Sequence, residues 1–346
     1  MAGSSNADGA QSMDMVRISG MLMRMAGIVF TLLAVTGCDI TDPYEIGTLV
    51  PATADQNPAL PQISIEVGGH TRKIHLETFG VDTLPPLFVL HGGPGADYRH
   101  LLPLSELSES YFVIMWDQRG SGLSERIQKD EISFEYWVAE LEAVKNHFVP
   151  DDKITLVGES WGGMYAMLYY EYHPEDVAQI ALLEPGPLAN SLSEPYEEEV
   201  NDYSLSDDWL NDMVWNMEFL GPYDHEQIDY KWMLVFEQAA GALLCYGYKT
   251  TPAWRFGAYL AYTAGHELLD APQGYDFTAN IESLTDPVLI LASECSALGY
   301  DYQVTYHEPL FPNAQVNLIP ESGHFTTVDA PGKVLAELKK FLREYN

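Results

Sequence analysis

Ser160 is the residue whose type and neighbours best fit chemistry. It stands in Gly158-Glu159-Ser160-Trp161-Gly162-Gly163, after the apolar run Ile154-Thr155-Leu156-Val157 and before the helical-looking stretch Met164 to Tyr172. Strand, sharp Gly-x-Ser-x-Gly turn and helix together hold a serine hydroxyl exposed at the tip of a sheet. The flanking glycines are required because side chains there would clash with the strand and the helix. A serine hydroxyl is a poor nucleophile until a base takes its proton, and that base is usually a histidine oriented by a carboxylate. The chain order that goes with such a turn is serine, acid, histidine. Of the ten histidines, His324 has the right place, on a glycine-containing loop, Glu321-Ser322-Gly323-His324-Phe325, after the last strand-like run. Attack on a carbonyl also needs two backbone N–H donors for the developing negative oxygen. One is expected from Trp161, the residue after the nucleophile. The other is expected from the loop His91-Gly92-Gly93-Pro94-Gly95, with Gly93 favoured and Gly92 the alternative.

These residues need a rigid frame. The alternating runs Ile63 to Val67 and Lys73 to Thr78, separated by Gly68-Gly69, predict an antiparallel hairpin. Buried-type strands are predicted at Leu87 to Leu90, Phe112 to Trp116, Ile154 to Val157, Ile180 to Leu183, Val288 to Leu291 and Val316 to Ile319. Phe134, Trp137, Val138, Leu141, Val144 and Phe148 fall at helical spacing, and a last helix is predicted over Val334 to Arg343. Strands alternating with helices predict the α/β class: a mostly parallel central sheet flanked by helices. Residues 185–284, with helical-looking stretches Asp207 to Leu220 and Gln227 to Leu244, are expected to form a helical cap over the site. The core would then be 62–184 and 285–346.

Three motifs together carry a resemblance: His91-Gly92-Gly93-Pro94-Gly95, Trp116-Asp117-Gln118-Arg119-Gly120-Ser121-Gly122-Leu123-Ser124 and Gly158-Glu159-Ser160-Trp161-Gly162-Gly163-Met164. They resemble the signatures of the proline iminopeptidase group of α/β-hydrolases, over roughly residues 63 to 344. The resemblance implies an α/β-hydrolase fold and removal of N-terminal residues from short peptides, with no metal and no cofactor. It implies Ser160 as nucleophile, His324 as base, and the Trp161 and Gly93 amides as oxyanion donors. The Asp117-Gln118-Arg119-Gly120 segment matches a family loop that buttresses the site.

The sequence departs from that pattern at the acid. The family usually carries Gly-Arg-Tyr-Asp after the strand corresponding to Val288 to Leu291, where this chain has Ala292-Ser293-Glu294-Cys295-Ser296. Ungapped counting back from Pro312 and His324 puts Ser296 at the aspartate, and serine cannot hold an imidazolium by charge. Glu294, on the same loop, is the first candidate to replace it. Glu184, at the tip of the Ile180 strand, is the second; some haloalkane dehalogenases keep their acid there. Asp301 is the third. The family holds the substrate's N-terminal amine with cap glutamates, for which Glu218 and Glu237 are candidates, with Glu226 and Glu267 competing. Cys295 is a candidate pocket residue.

The chain has 346 residues, 51 acidic and 17 basic, with a net charge of −34. That surface repels nucleic acid. It serves solubility, or life in salty surroundings where a carboxylate shell is screened. Three cysteines, Cys38, Cys245 and Cys295, are a poor count for a disulfide framework. Arg17 and Arg24 precede an uncharged stretch, Met25 to Gly37, too short for a membrane span and right for a signal-peptide core. Val35-Thr36-Gly37-Cys38 resembles a bacterial lipobox, which implies lipidation of Cys38 and removal of residues 1–37. The expected location is the bacterial cell envelope, facing the periplasm or exterior. Residues 38–61 are read as a linker.

The leading reading is a serine hydrolase of aminopeptidase type acting on short peptides through an acyl-enzyme on Ser160. An esterase, lactonase or amidase for small uncharged substrates is the alternative, and a non-catalytic ligand-binding relative the third. Aspartate-nucleophile chemistry, as in epoxide hydrolases and dehalogenases, is disfavoured by the serine at position 160.

Overall fold

A computed structural model describes residues 45–193, 222–239, 253–269, 272 and 274–344. Among the described residues the eight strands are β1 (Gln62–Val67), β2 (His70–Phe79), β3 (Pro86–Leu90), β4 (Phe112–Trp116), β5 (Ile154–Glu159), β6 (Val177–Leu183), β7 (Val288–Ser293) and β8 (Ala314–Ile319). They form one sheet in the order β1-β2-β4-β3-β5-β6-β7-β8. β1 and β2 make the predicted hairpin and β2 pairs antiparallel with β4; every later pairing is parallel.

The central strands read as unbroken apolar runs because both faces of the sheet are covered. Successive side chains alternate between two cores. On β3, Phe88 and Leu90 enter one core while Leu87 and Val89 enter the other. The first core lies under α1 (Phe134–Phe148) and α2 (Trp161–Tyr172). Ser133 caps α1 by accepting a hydrogen bond from the Tyr136 amide. The second core lies under α5 (Pro331–Glu344) and a 3-10 run, Arg99–Glu109, whose Leu101, Leu104 and Leu107 are buried.

The insertion between β6 and β7 contributes two described helices, α3 (Pro222–Ala239) and α4 (Ala258–Ala264). Its entry and exit chains are zipped together: Phe277 donates to the Leu188 carbonyl and Asn190 to the Tyr275 carbonyl, both at 2.9 Å. The predicted helix Asp207 to Leu220 and the segment 1–37 lie outside the described residues.

One boundary is corrected. Folded structure begins before residue 62, because Val50, Thr53 and Ala54 are buried. Ala54 donates to the Leu123 carbonyl at 2.7 Å, Leu49 donates to Glu226 Oε1 at 2.7 Å, and Arg255 Nη1 donates to the Pro51 carbonyl at 2.8 Å. Residues 49–57 therefore form a strap over the insertion and the loop after β4 rather than part of a linker. The Pro- and Thr-rich composition hid two small apolar anchors.

Candidate active site

The β5–α2 turn places Ser160 at φ 53°, ψ −118°, and its amide donates to the Leu183 carbonyl at 3.1 Å. Non-glycine residues avoid this region, so the surroundings must enforce it. They do so by close approach. A Cβ on Gly162 would lie 2.0 Å from the Leu90 carbonyl oxygen, and one on Gly158 would lie 2.2 Å from the Gly162 oxygen. Only glycine lets strand β3, strand β5 and helix α2 converge this tightly.

His324 is buried on the loop after β8. Its Nδ1 faces Glu184 Oε2 at 3.8 Å, and neither atom has a hydrogen-bond partner elsewhere. The gap exceeds a hydrogen bond, as is common before substrate tightens a catalytic contact. Glu184 is fully buried at φ 47°, just past β6. Its other oxygen, Oε1, accepts from Ser293 Oγ at 2.8 Å and also from Ser296 Oγ. The hydroxyl that replaces the family's usual aspartate thus donates to the carboxylate that faces the histidine. Burial opposes a charge on His324, but Glu184 and then Glu159 outweigh it and raise its pKa above the ordinary histidine value.

The structure departs from the first-choice acid. Glu294 is exposed and its Oε2 accepts from the Glu321 amide at 2.8 Å. Ser293 closes β7 pointing toward Glu184, so the next side chain points away. Asp301 is also exposed. Both line a separate surface cavity of about 500 Å³ with Tyr300, Tyr306 and Leu318.

The glycine-rich loop His91–Gly95 is braced from behind. Trp161 Nε1 donates to Gln118 Oε1, the Gln118 amide donates to His91 Nε2, and Gln118 Nε2 donates to the His91 carbonyl, each at 3.0 Å. With Nε2 accepting, His91 carries its proton on Nδ1 and donates it to the Gly92 carbonyl at 2.8 Å. Burial lowers the His91 pKa, which keeps that tautomer neutral. Asp117 is buried and accepts from the amides of Tyr98 and Leu123 at 3.1 and 2.8 Å. The segment after β4 thus packs behind the His91–Gly95 loop and Trp161.

Gly93, Ser160 and Trp161 open together onto a cavity of about 190 Å³. Met164, Pro187, Leu269, Tyr275 and Leu298 complete most of its described wall, and no carboxylate is among the described lining residues. Among the described residues no group of three or more His, Cys, Asp or Glu could hold a metal ion. Glu218 and the side chains of Glu237 and Glu267 lie outside the described residues, as does Cys38. Glu226 is buried and occupied by the Leu49 amide. Cys295 is disulfide-bonded, so it offers no free thiol, and it is absent from the cavity wall. This departs from its reading as a pocket residue; one bridge is present, although three cysteines are a poor count for a disulfide framework. The other two cysteines lie outside the described residues.

Residues 85–331 match the family model described as alpha/beta hydrolase fold. The chain belongs to the α/β-hydrolase family. A curated relative of the hydrolase, a proline iminopeptidase from Clostridium botulinum, is 30% identical over 273 residues, covering 75% of this chain and 90% of the relative. A thermophilic esterase from Thermogutta terrifontis superposes with a TM-score of 0.60 at 20% identity, covering 82% of this chain and 98% of its own. The proline iminopeptidase of Mycobacterium smegmatis superposes at 0.54 with 18% identity, over 82% and 98% of the two chains. Those two solved structures bear on the fold.

Sequence reasoning passed over two buried residues here, Glu159 and His100, whose Oε2 and Nε2 lie 2.8 Å apart. The available signal was a glutamate at the variable position directly before the nucleophile.

Proposed function

We propose that this hydrolase is a serine aminopeptidase of proline iminopeptidase type. The observation that carries the reading is the buried Glu184–His324 pair together with a strained Ser160 between Gly158 and Gly162, in a chain whose curated relatives bear that name. Ser160 Oγ attacks the carbonyl of the substrate's first residue while His324 takes its proton. The oxyanion is held by the Trp161 and Gly93 amides, and Glu184 balances the imidazolium. His324 then gives the proton to the leaving amine, and water attacks the acyl-enzyme by the same route in reverse. A cavity of about 190 Å³ with a mainly apolar wall suits a residue as small as proline.

One observation favours a second reading, an esterase or amidase of small neutral substrates: the described wall carries no carboxylate for an N-terminal ammonium. Turnover of proline, alanine and phenylalanine arylamides, their N-blocked forms and simple esters, with Ser160→Ala as blank, separates the two. Cleavage of free-amine arylamides alone supports the aminopeptidase. Cleavage of esters alone defeats it and leaves the esterase.

The N-terminal sequence supports attachment to a bacterial envelope through lipid on Cys38. The test is metabolic labelling with a fatty-acid analogue. Label lost in Cys38→Ser supports the anchor, and an unlabelled wild-type chain defeats it.

A further inference from the structure

Glu159 closes β5 and is almost wholly buried, directly before the nucleophile. Oε2 pairs with His100 Nε2, while Oε1 has no hydrogen-bond partner. A buried carboxylate oxygen left unpaired is costly unless a charge compensates it. Two loops of the site converge on this carboxylate. A Cβ on Gly92 would lie 2.9 Å from Glu159 Oε2 and 3.2 Å from Ser160 Cβ, so the acid packs directly against the oxyanion loop. On the other side the His100 ring meets the edge of Phe325 at 5.6 Å between centroids, and Phe325 meets His324 at 5.2 Å.

The charged neighbours can be named. Glu159 feels His100, His324 and His91. His100 feels Glu159, Asp97 and His324. His324 feels Glu184 and Glu159. Burial opposes ionisation of Glu159, but His100, by charge and hydrogen bond, and then His324 outweigh it and hold its pKa below the usual carboxylate range. Burial likewise opposes a charge on His100, yet Glu159 and Asp97 raise its pKa.

We propose that Glu159 is a second carboxylate for the catalytic imidazolium, fixed in place by His100, and that it supports the charge His324 acquires whenever it takes the Ser160 proton. Glu159 acts through His324 and is a positioning residue, not a reacting one. Glu184 orients the ring through Nδ1, and Glu159 adds negative potential beneath the nucleophile. This inference rests on the serine-hydrolase reading, and the experiment separates the two.

The probe is a fluorophosphonate, which Ser160 would phosphonylate with loss of fluoride, at a rate that follows deprotonation of His324. The full-length chain is labelled across a pH series, with Ser160→Ala as blank and circular dichroism as the folding check. Glu159→Gln keeps shape and removes the charge. The acid limb of its profile should move to lower pH, and its plateau rate should fall about tenfold. His100→Gln keeps a donor to Glu159 but removes the charge that holds it ionised, so its acid limb should also move to lower pH, and the double variant should move no further than Glu159→Gln alone. That non-additivity is the signature, because general damage to the loops would accumulate in the double variant. An unmoved limb in Glu159→Gln, or additive shifts in the double variant, overturns the proposal. If Glu159→Gln does not fold, His100→Gln decides: a downward shift supports the proposal and an unmoved limb overturns it. A wild-type chain that takes no label defeats the nucleophile reading itself.

Discussion

Glu184 and Glu294 both stand at the ends of sheet strands, and only the former reaches the histidine. Glu184 turns inward at a positive φ and takes two serine hydroxyls, while Glu294 faces solvent. Glu184→Gln should therefore lower kcat by about a thousandfold to ten-thousandfold with little change in KM, and Glu294→Gln should stay within about twofold. Steady-state kinetics on whichever arylamide or ester proves active checks both. The His324 pKa is raised, so the base is protonated at pH values where a free histidine is already neutral. Activity should be lost as pH falls, with the acid limb of kcat/KM centred above about 6.5. A limb centred below that value would contradict the two-carboxylate environment.

At the scale of elements, the strap and α3 tie the insertion to the core. Asp229 on α3 takes Arg126 Nη2 at 2.8 Å, Arg255 Nε at 2.7 Å and the Ala258 amide at 2.9 Å; Asp229, Arg255 and Ala258 are buried and Arg126 is mostly so. Burial opposes its charge, but Arg126 and Arg255 outweigh it and depress its pKa. With the folded pKa lowered, its contribution to stability is complete above the unfolded carboxylate value and is lost as pH falls through the folded value. Asp229→Ala leaves two buried guanidiniums uncompensated and should cost about 3–5 kcal/mol in urea unfolding at neutral pH. Ala54 in the strap has no exposed surface, so Ala54→Leu should overpack it and cost about 1–3 kcal/mol by the same measurement.

For the molecule as a whole, 51 acidic residues against 17 basic ones make the surface self-repelling. Raising sodium chloride from about 0.05 to about 1 M shortens the screening length from above 10 Å to about 3 Å. The melting temperature should rise over that range, as followed by circular dichroism. A flat or falling curve would show that surface repulsion is not a significant term. The buried pairs Asp229–Arg255 and Glu159–His100 are shielded from this screening, so catalysis should be less salt-sensitive than unfolding.

Whatever is written in short-range pattern was legible in the chain. Apolar runs such as Leu87 to Leu90 and Val288 to Leu291 became strands, and the helical spacing from Phe134 to Phe148 became α1. Gly158 to Gly163 declared a strand–turn–helix elbow because backbone crowding admits almost nothing else there. Which carboxylate meets His324 was set by the folded chain. Glu184 and His324 are far apart in the chain, and the β6–β7–β8 pairing that brings their loops together is long-range. The same holds for Glu159 and His100, which look like ordinary surface residues in a chain this acidic until the sheet closes over them. The strap was illegible for a related reason. Val50 and Ala54 are too small and too widely spaced to announce burial, and their partners Leu123, Glu226 and Arg255 come from three distant segments.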